Sequence, residues 1–420
     1  MHFPQMIRIR QKFESHALSD IPREISRQVK QLPLKNRIRP NQRVAIACSS
    51  RGIAHYGLII QSLVSSIKGL GLKPFIIPAM GSHGSATAEG QKTILENLEV
   101  SEEKCGAPVR SSLEVVSIGV TKEGIPVLID RLASEADFIV PVNRIKRHTY
   151  FDGDIESGVM KIMAIGLGKQ KGAEVYHQAM FRYGCERVIL SVARKVIESG
   201  RILFGVGIIE DAFAQTASIH VLQPHELEKR EKELLVISKE WTPGLPFDEV
   251  DVLVIDEMGK DISGSGFETK VVGRMGLPLL SKDPEKPRVK RIVVCNLTNK
   301  TEGNAQGVGV ADLITRRLAD KINVESTNMN CLTSGDPEGG KIPIIMENDR
   351  EAIKMAIQCV GMIPKDKLRL IRIKNTLHLE EVEISSVYRE ELKKRQDLEI
   401  LTSEREMAFN KEGNLKPNSS

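Results

Sequence analysis

The stretch "RVAIACSSRGIAHYGLIIQSLVSSIKGLGLKPFIIPA", Arg43 to Ala79, decides the fold class. It opens on a short unbroken aliphatic run, "RVAIAC" (43–48). Apolar runs without alternation belong to strands covered on both faces. "GLIIQSLVSSIKGLG" then carries apolar residues at helical spacing, and "KPFIIPA" (73–79) reads as a second buried strand. A helix through "AEGQKTILENL" follows, and "DFIVPVN" (137–143), "ILFGVGIIE" (202–210) and "SIHVLQ" (218–223) read as further strands. Strand–helix alternation of this kind predicts an α/β fold, a mostly parallel sheet with helices on both faces.

The polar stretch "SKEWTPGLPFDE" (238–249) holds two prolines, a glycine and the only tryptophan, and reads as a linker. Beyond it the alternation restarts with "VDVLVIDEMGKDISGSG" and "VKRIVVCNL". A helix near "GVADLITRRLADKI", a helix near "DREAIKMAIQCV" and a strand at "LRLIRIK" follow. The reading is two α/β domains, 1–240 and 241–395. A charged helix through "YREELKKRQDLEILTSEREMAF" and a disordered polar tail are expected at the end, with residues 396–420 set apart from the second domain.

Composition narrows the class. The 420 residues are 41% hydrophobic and 27% charged, ordinary for a globular protein, with only 4% aromatics. A net charge of +5 from interspersed basic and acidic residues argues against a nucleic-acid binder, which concentrates its basic residues on one face. The six cysteines contain no CxxC pair, so zinc-knuckle and iron–sulfur spacings are absent. "MHFPQMIRIRQKF" has no apolar leader core, and no apolar run approaches a membrane span. A reduced, cytoplasmic protein is expected.

In open α/β sheets, ligands sit beyond the carboxyl ends of strands, and several notable residues fall there. Arg51 in "CSSRG" suits a carboxylate or phosphate. His83 stands between glycines in "MGSHGSAT", where Ser85 or Thr87 can cap the next helix. Free amides there would welcome an anion without any histidine, so His83 suggests proton transfer. His148 closes the basic run Arg144, Lys146, Arg147. Lys161 lies in the apolar, glycine-rich "ESGVMKIMAIGLGK", a setting that suits a covalent lysine. Lys169 competes with it, although "GLGKQKG" lacks P-loop spacing. His177 lies in the first turns of a helix. Each has an ordinary alternative: a histidine capping a carbonyl, a solvated basic turn, a lysine reaching to the surface, a packed helical histidine.

Taken in order, Arg51, "GSHG", "HTYFDG", "SGVMK" and His177 resemble the lactate racemase family, built around a nickel-pincer nucleotide. The resemblance runs over residues 40 to 180. It implies an active site between two α/β domains, and a cofactor attached covalently to Lys161 with Arg51, Ser85 and Lys169 beside it. It also implies His177 as a nickel ligand, and His83 and His148 as opposed acid/bases in racemisation or epimerisation of a 2-hydroxy acid. In the second half, "MGKDISGSGFETKVVGR" offers Lys270, then Lys260, as closing over the substrate carboxylate. Polar loops such as "EGNAQG" hint at a hydroxyl-rich substrate, for example a sugar acid. Cofactor-synthesis enzymes are the implied partners. The chain departs from the family where Cys48 replaces an acidic residue and Gly52 a proline, which marks a divergent branch. Competing readings are an anion- or nucleotide-binding protein of the same fold without nickel chemistry, and a Schiff-base enzyme using Lys161.

Overall fold

The computed structural model describes residues 3–50 and 52–417. The chain divides into two compact units: Glu14–Thr242, and Met1–Phe13 with Pro243–Ser420. Strand β1 (Met6–Gln11) precedes the first of these and belongs to the sheet of the second.

The Glu14–Thr242 unit holds β2 (Arg43–Cys48), β3 (Lys73–Pro78), β4 (Val115–Val120), β5 (Pro126–Asp130), β6 (Phe138–Arg144), β7 (Gly205–Glu210) and β8 (Thr216–Leu222). Its main sheet has the order β3-β2-β6-β7-β8. The first four are parallel, and β8 runs back antiparallel on β7. Residues 44–48 are fully buried, as an apolar run covered on both sides requires. Helices Ile21–Gln31 and Tyr56–Gly69 cover one face, packing Ile25, Ile59, Leu63 and Ile67 against Val44, Ile46 and Val140. The first begins where Asp20 accepts from the Arg23 amide at 3.0 Å with a proline in the first turn. Strands β4 and β5 form a separate hairpin.

The second unit adds β9 (Glu249–Ile255), β10 (Arg288–Val294), β11 (Leu313–Thr315), β12 (Ile344–Met346), β13 (Leu370–Ile373), β14 (Glu381–Ser385) and β15 (Leu398–Ile400). The order is β12-β11-β10-β9-β13-β14-β1-β15. The five strands from β12 to β13 are parallel, while β1 pairs antiparallel with both β14 and β15. Ile7 and Ile9 join the core on one face and Met6 that on the other. Both units are thus α/β with mostly parallel sheets. No helix among the described residues is long and apolar enough to cross a membrane.

Three local expectations change. The expected helix at 309–322 is the end of a 3-10 turn, strand β11 and the short helix Arg316–Ala319, because Leu313 and Ile314 pair with β10. Trp241 ends the Leu227–Trp241 helix instead of standing in a linker, and stacks on His16 at 4.2 Å. The charged helix expected to run on through residues 396–409 is one turn, Arg389–Leu392, followed by β15. The segment beyond is held too, since the Leu415 amide donates to the buried Asp349 at 2.7 Å.

Candidate functional site

In the first sheet, β3 and β6 lie on opposite sides of β2, so the strand order reverses beside β2. Such a switch point opens a crevice at the carboxyl ends. Glu210, at the end of β7, fixes two of its walls: it accepts from the Ala54 amide at 2.7 Å and pairs with Arg144 at the end of β6. The Ser49 amide donates to the Tyr56 hydroxyl at 2.9 Å. Ser49 Oγ is buried without a hydrogen-bond partner among the described residues. Cys48 is fully buried, and burial drives its thiol far above the ordinary range, so it brings no negative charge to the end of β2. Arg51 lies outside the described residues.

The loop after β3 carries His83. Gly84 has φ +67°, and a Cβ there would come within 2.5 Å of the Gly90 carbonyl carbon, so glycine is required for the tight turn. Thr87 then caps the Ala88–Asn97 helix, accepting from the Gly90 amide at 3.0 Å. Ser85 is exposed with φ +53° and leaves that cap to Thr87. His83 is exposed, and its Nδ1 lies 2.6 Å from the Met80 carbonyl oxygen. A carbonyl only accepts, so Nδ1 carries the hydrogen and a neutral ring has its lone pair on Nε2.

The loop after β6 carries His148, half-buried, with its ring 4.4 Å from that of Phe151. Its Nδ1 accepts from the Tyr150 amide at 3.1 Å, which places the hydrogen of a neutral ring on Nε2. Its own amide donates to Glu156 at 2.6 Å. Glu156 is almost fully buried and pairs with Lys239 at 2.6 Å. Lys146 and Ser157 bridge antiparallel, so this loop returns straight to Gly158 and the turn that ends at Lys161.

That turn, Val159–Lys161, runs into a π-helical turn, Ile162–Gly166. Asn143 Nδ2 donates to the Gly158 carbonyl at 2.8 Å. Lys161 is half-buried, and its ammonium pulls down the Cys185 thiol that burial raises to about 11. The π turn meets the His83 loop, since the Gly81 amide donates to the Gly166 carbonyl at 3.4 Å. His177 follows, half-buried, on the Lys169–Tyr183 helix.

Lys169 is fully buried. Its Nζ lies 2.8 Å from Asp130 and 3.3 Å from Gln91 Oε1, and also bonds the Pro78 carbonyl. Burial lowers its pKa and Asp130 opposes that. Gln91 passes the connection on, donating to the carbonyls of Gly81 at 2.8 Å and His83 at 3.3 Å. Lys169 therefore ties the end of β3, Asp130 and the His83 loop together from inside. Sequence reading missed Gln91, Asp130, Glu156 and Glu231, although Glu156 opens the "ESGVMK" stretch that leads to Lys161.

The structure thus gathers His83, Ser85, His148, Lys161, Lys169 and His177 in one unit, on segments that follow its parallel strands. Lys260 and Lys270 belong to the other unit. There Lys260 Nζ bonds Gln306 Oε1 at 2.9 Å and Asn330, and Lys270 is buried on the short helix Thr269–Val272. No group of three or more His, Cys, Asp or Glu that would hold a metal ion exists among the described residues.

These features define a two-unit α/β protein whose first sheet has a switch point beside β2, with two histidine loops and a lysine turn following the strands there. Residues 6–186 match the family model of the lactate racemase N-terminal domain, so over that stretch the chain is similar to that domain. The match spans every candidate of the first unit, Arg51 to His177. No curated protein shows significant similarity to the chain. Among solved structures, the lactate racemase apoprotein from Thermoanaerobacterium thermosaccharolyticum is similar, with a TM-score of 0.53 and 14% identity over 89% of this chain and 98% of that one. At that identity the likeness is one of fold, and it reaches into the second unit.

Proposed function

We propose that this chain is a racemase or epimerase of a 2-hydroxy acid that works with a nickel-pincer nucleotide. The observation that carries the proposal is the descent of the two histidine loops from β3 and β6, the two neighbours of β2. Those strand ends stand about 10 Å apart across β2, so groups on the two loops can approach a small substrate from opposite sides. Inversion at a carbinol carbon needs that arrangement, because proton removal and return occur on opposite faces.

The residues present fit the cofactor. Lys161 offers a half-buried amine for covalent attachment, and His177 an imidazole of the kind nickel accepts. The partnerless Ser49 hydroxyl suits a polar ligand group at the switch point. When bound, the cofactor supplies a reversible acceptor for the substrate's α-hydrogen as hydride.

The chain's own residues handle protons and orientation. With Nδ1–H held by the Met80 carbonyl, His83 in its neutral form presents a basic Nε2. With Nδ1 held by the Tyr150 amide, neutral His148 presents Nε2–H. One ring takes the hydroxyl proton while the other is set to return one. Arg51 is the candidate for the substrate carboxylate or a cofactor phosphate, and Ser85 is a further candidate for the cofactor. Lys270, then Lys260, are the second unit's candidates for the carboxylate. Lys169 acts from within the wall, through Gln91.

Co-expression with cofactor-synthesis enzymes tests the proposal, read by intact mass and nickel content. A mass gain with bound nickel is expected, absent in Lys161→Ala and metal-poor in His177→Ala. Chiral separation after incubation with 2-hydroxy acids, sugar acids included, then identifies the substrate. An unmodified, nickel-free wild type, under conditions that load another family member, leaves an anion-binding protein of the same fold as the reading.

A further inference from the structure

The turn that presents Lys161 has no cap of its own. It begins at Gly158, which has no side chain, and its first amides face a residue from far along the chain. Glu231, on the Leu227–Trp241 helix, accepts from the Met160 amide through Oε2 at 3.0 Å. The carboxylate is 1% exposed, and its Oε1 has no hydrogen-bond partner among the described residues. A Cβ on Gly158 would come within 2.2 Å of that oxygen, so only glycine lets the carboxylate reach the turn. Burial drives the Glu231 carboxyl up to about 7, against the pull of the Met160 and Val159 amides.

Leaving a carboxylate unpaired in the interior is unfavourable, and packing alone would place a leucine there. Leu227, Leu234 and Leu235 are its buried companions on the same helix. We infer that Glu231 is a positioning residue for Lys161: it caps from outside a turn whose start at Gly158 offers no side-chain cap, and so fixes the direction of the lysine. This rests on the reading of Lys161 as the attachment point. The two neighbouring fixtures, Asn143 on the Gly158 carbonyl and Lys169 beyond the π turn, hold the backbone on either side. Neither bonds the Met160 amide, which Glu231 takes.

The test is trace acetylation of the full-length chain, read by peptide mass spectrometry. Lys161 is compared with exposed Lys171 as a reference and buried Lys169 as a guard. Loss of an N-terminal cap of typical strength frees the turn, so Glu231→Ala is expected to speed Lys161 labelling about fivefold relative to Lys171. Lys169 stays protected. Glu231→Gln keeps an acceptor oxygen and is expected to label within about twofold of wild type. Cofactor attachment in co-expressed protein falls in Glu231→Ala and recovers in Glu231→Gln.

Three results would overturn the inference: unchanged Lys161 labelling in Glu231→Ala, a joint rise at Lys161 and Lys169 that reports general loosening, or a Glu231→Gln protein as affected as the alanine. Should the alanine variant fail to fold, Glu231→Asp, with its carboxylate drawn back by one methylene, carries the same readings. Labelling reads the amine alone. A wild type that gains no mass on co-expression therefore refutes the cofactor reading and leaves the labelling result standing.

Discussion

Lys169→Met tests whether the buried ion pair holds the wall of the crevice. Lys169 and Asp130 are both fully buried, 2.8 Å apart, and the ammonium also serves Gln91 and the Pro78 carbonyl. Methionine fills the stem's volume but leaves Asp130 charged in a dry site, holding only its cap on the Ala133 amide at 3.1 Å. Breaking such a pair from one side costs about 3–5 kcal/mol. Asp130→Asn strands the ammonium instead. The double variant strands neither charge, so its loss is expected to fall short of the sum by about 2 kcal/mol or more. Urea unfolding followed by Trp241 fluorescence reads this, because Trp241 is the only tryptophan and lies with His16 in the same unit. Single losses that add to within about 0.5 kcal/mol would refute the reasoning.

Glu231→Gln should change how stability depends on pH. The folded carboxyl titrates at about 7 against an ordinary 4.5, so the folded state holds the proton more tightly. Its stabilising contribution is present in full below pH 4.5 and is lost as pH rises to about 7. Relative to the glutamine variant, wild type is expected to lose up to about 3 kcal/mol over that window. Parallel stability curves for the two proteins would contradict this. Gly84→Ala forces a Cβ into a left-handed turn and against Gly90, so a loss of about 2 kcal/mol is expected. Faster hydrogen exchange should centre on residues 81–91, and an exchange pattern identical to wild type would argue against the strained turn.

Much of the first unit was legible because its strands are local signals. Residues 43–48, 73–78 and 138–144 are apolar runs bounded by turn residues, and each became a parallel strand. The His83 loop was legible through its glycines. Strand β1 was not read, although "MIRIRQ" alternates and buries Ile7 and Ile9. Its partner Glu381 lies 373 residues away, and nothing local announces a pairing of that separation. The buried polar residues were hidden for a related reason: Gln91, Asp130 and Glu156 owe their burial to tertiary packing. Glu231 did leave a mark. It occupies the core stripe Leu227, Glu231, Leu234, Leu235 and Ser238, where an acid is out of place. Leu313–Thr315 misled in the other direction, since three residues followed by "RRLAD" look like the start of a helix.

The position of β1 has a consequence for biosynthesis. The ribosome makes β1 first, then the whole of Glu14–Thr242 as one contiguous segment, and only afterwards β14 and β15. The nascent chain can therefore complete one folding unit while its leading strand, with Ile7 and Ile9, still has nothing to pair with. Such a strand is an open edge for as long as translation lasts. Arg8 and Arg10, which in the finished sheet meet Glu381, put two positive charges on it during that interval. Charge on an unpaired strand discourages pairing between neighbouring nascent chains, and the same two arginines become cross-strand ion pairs once Glu381 is made.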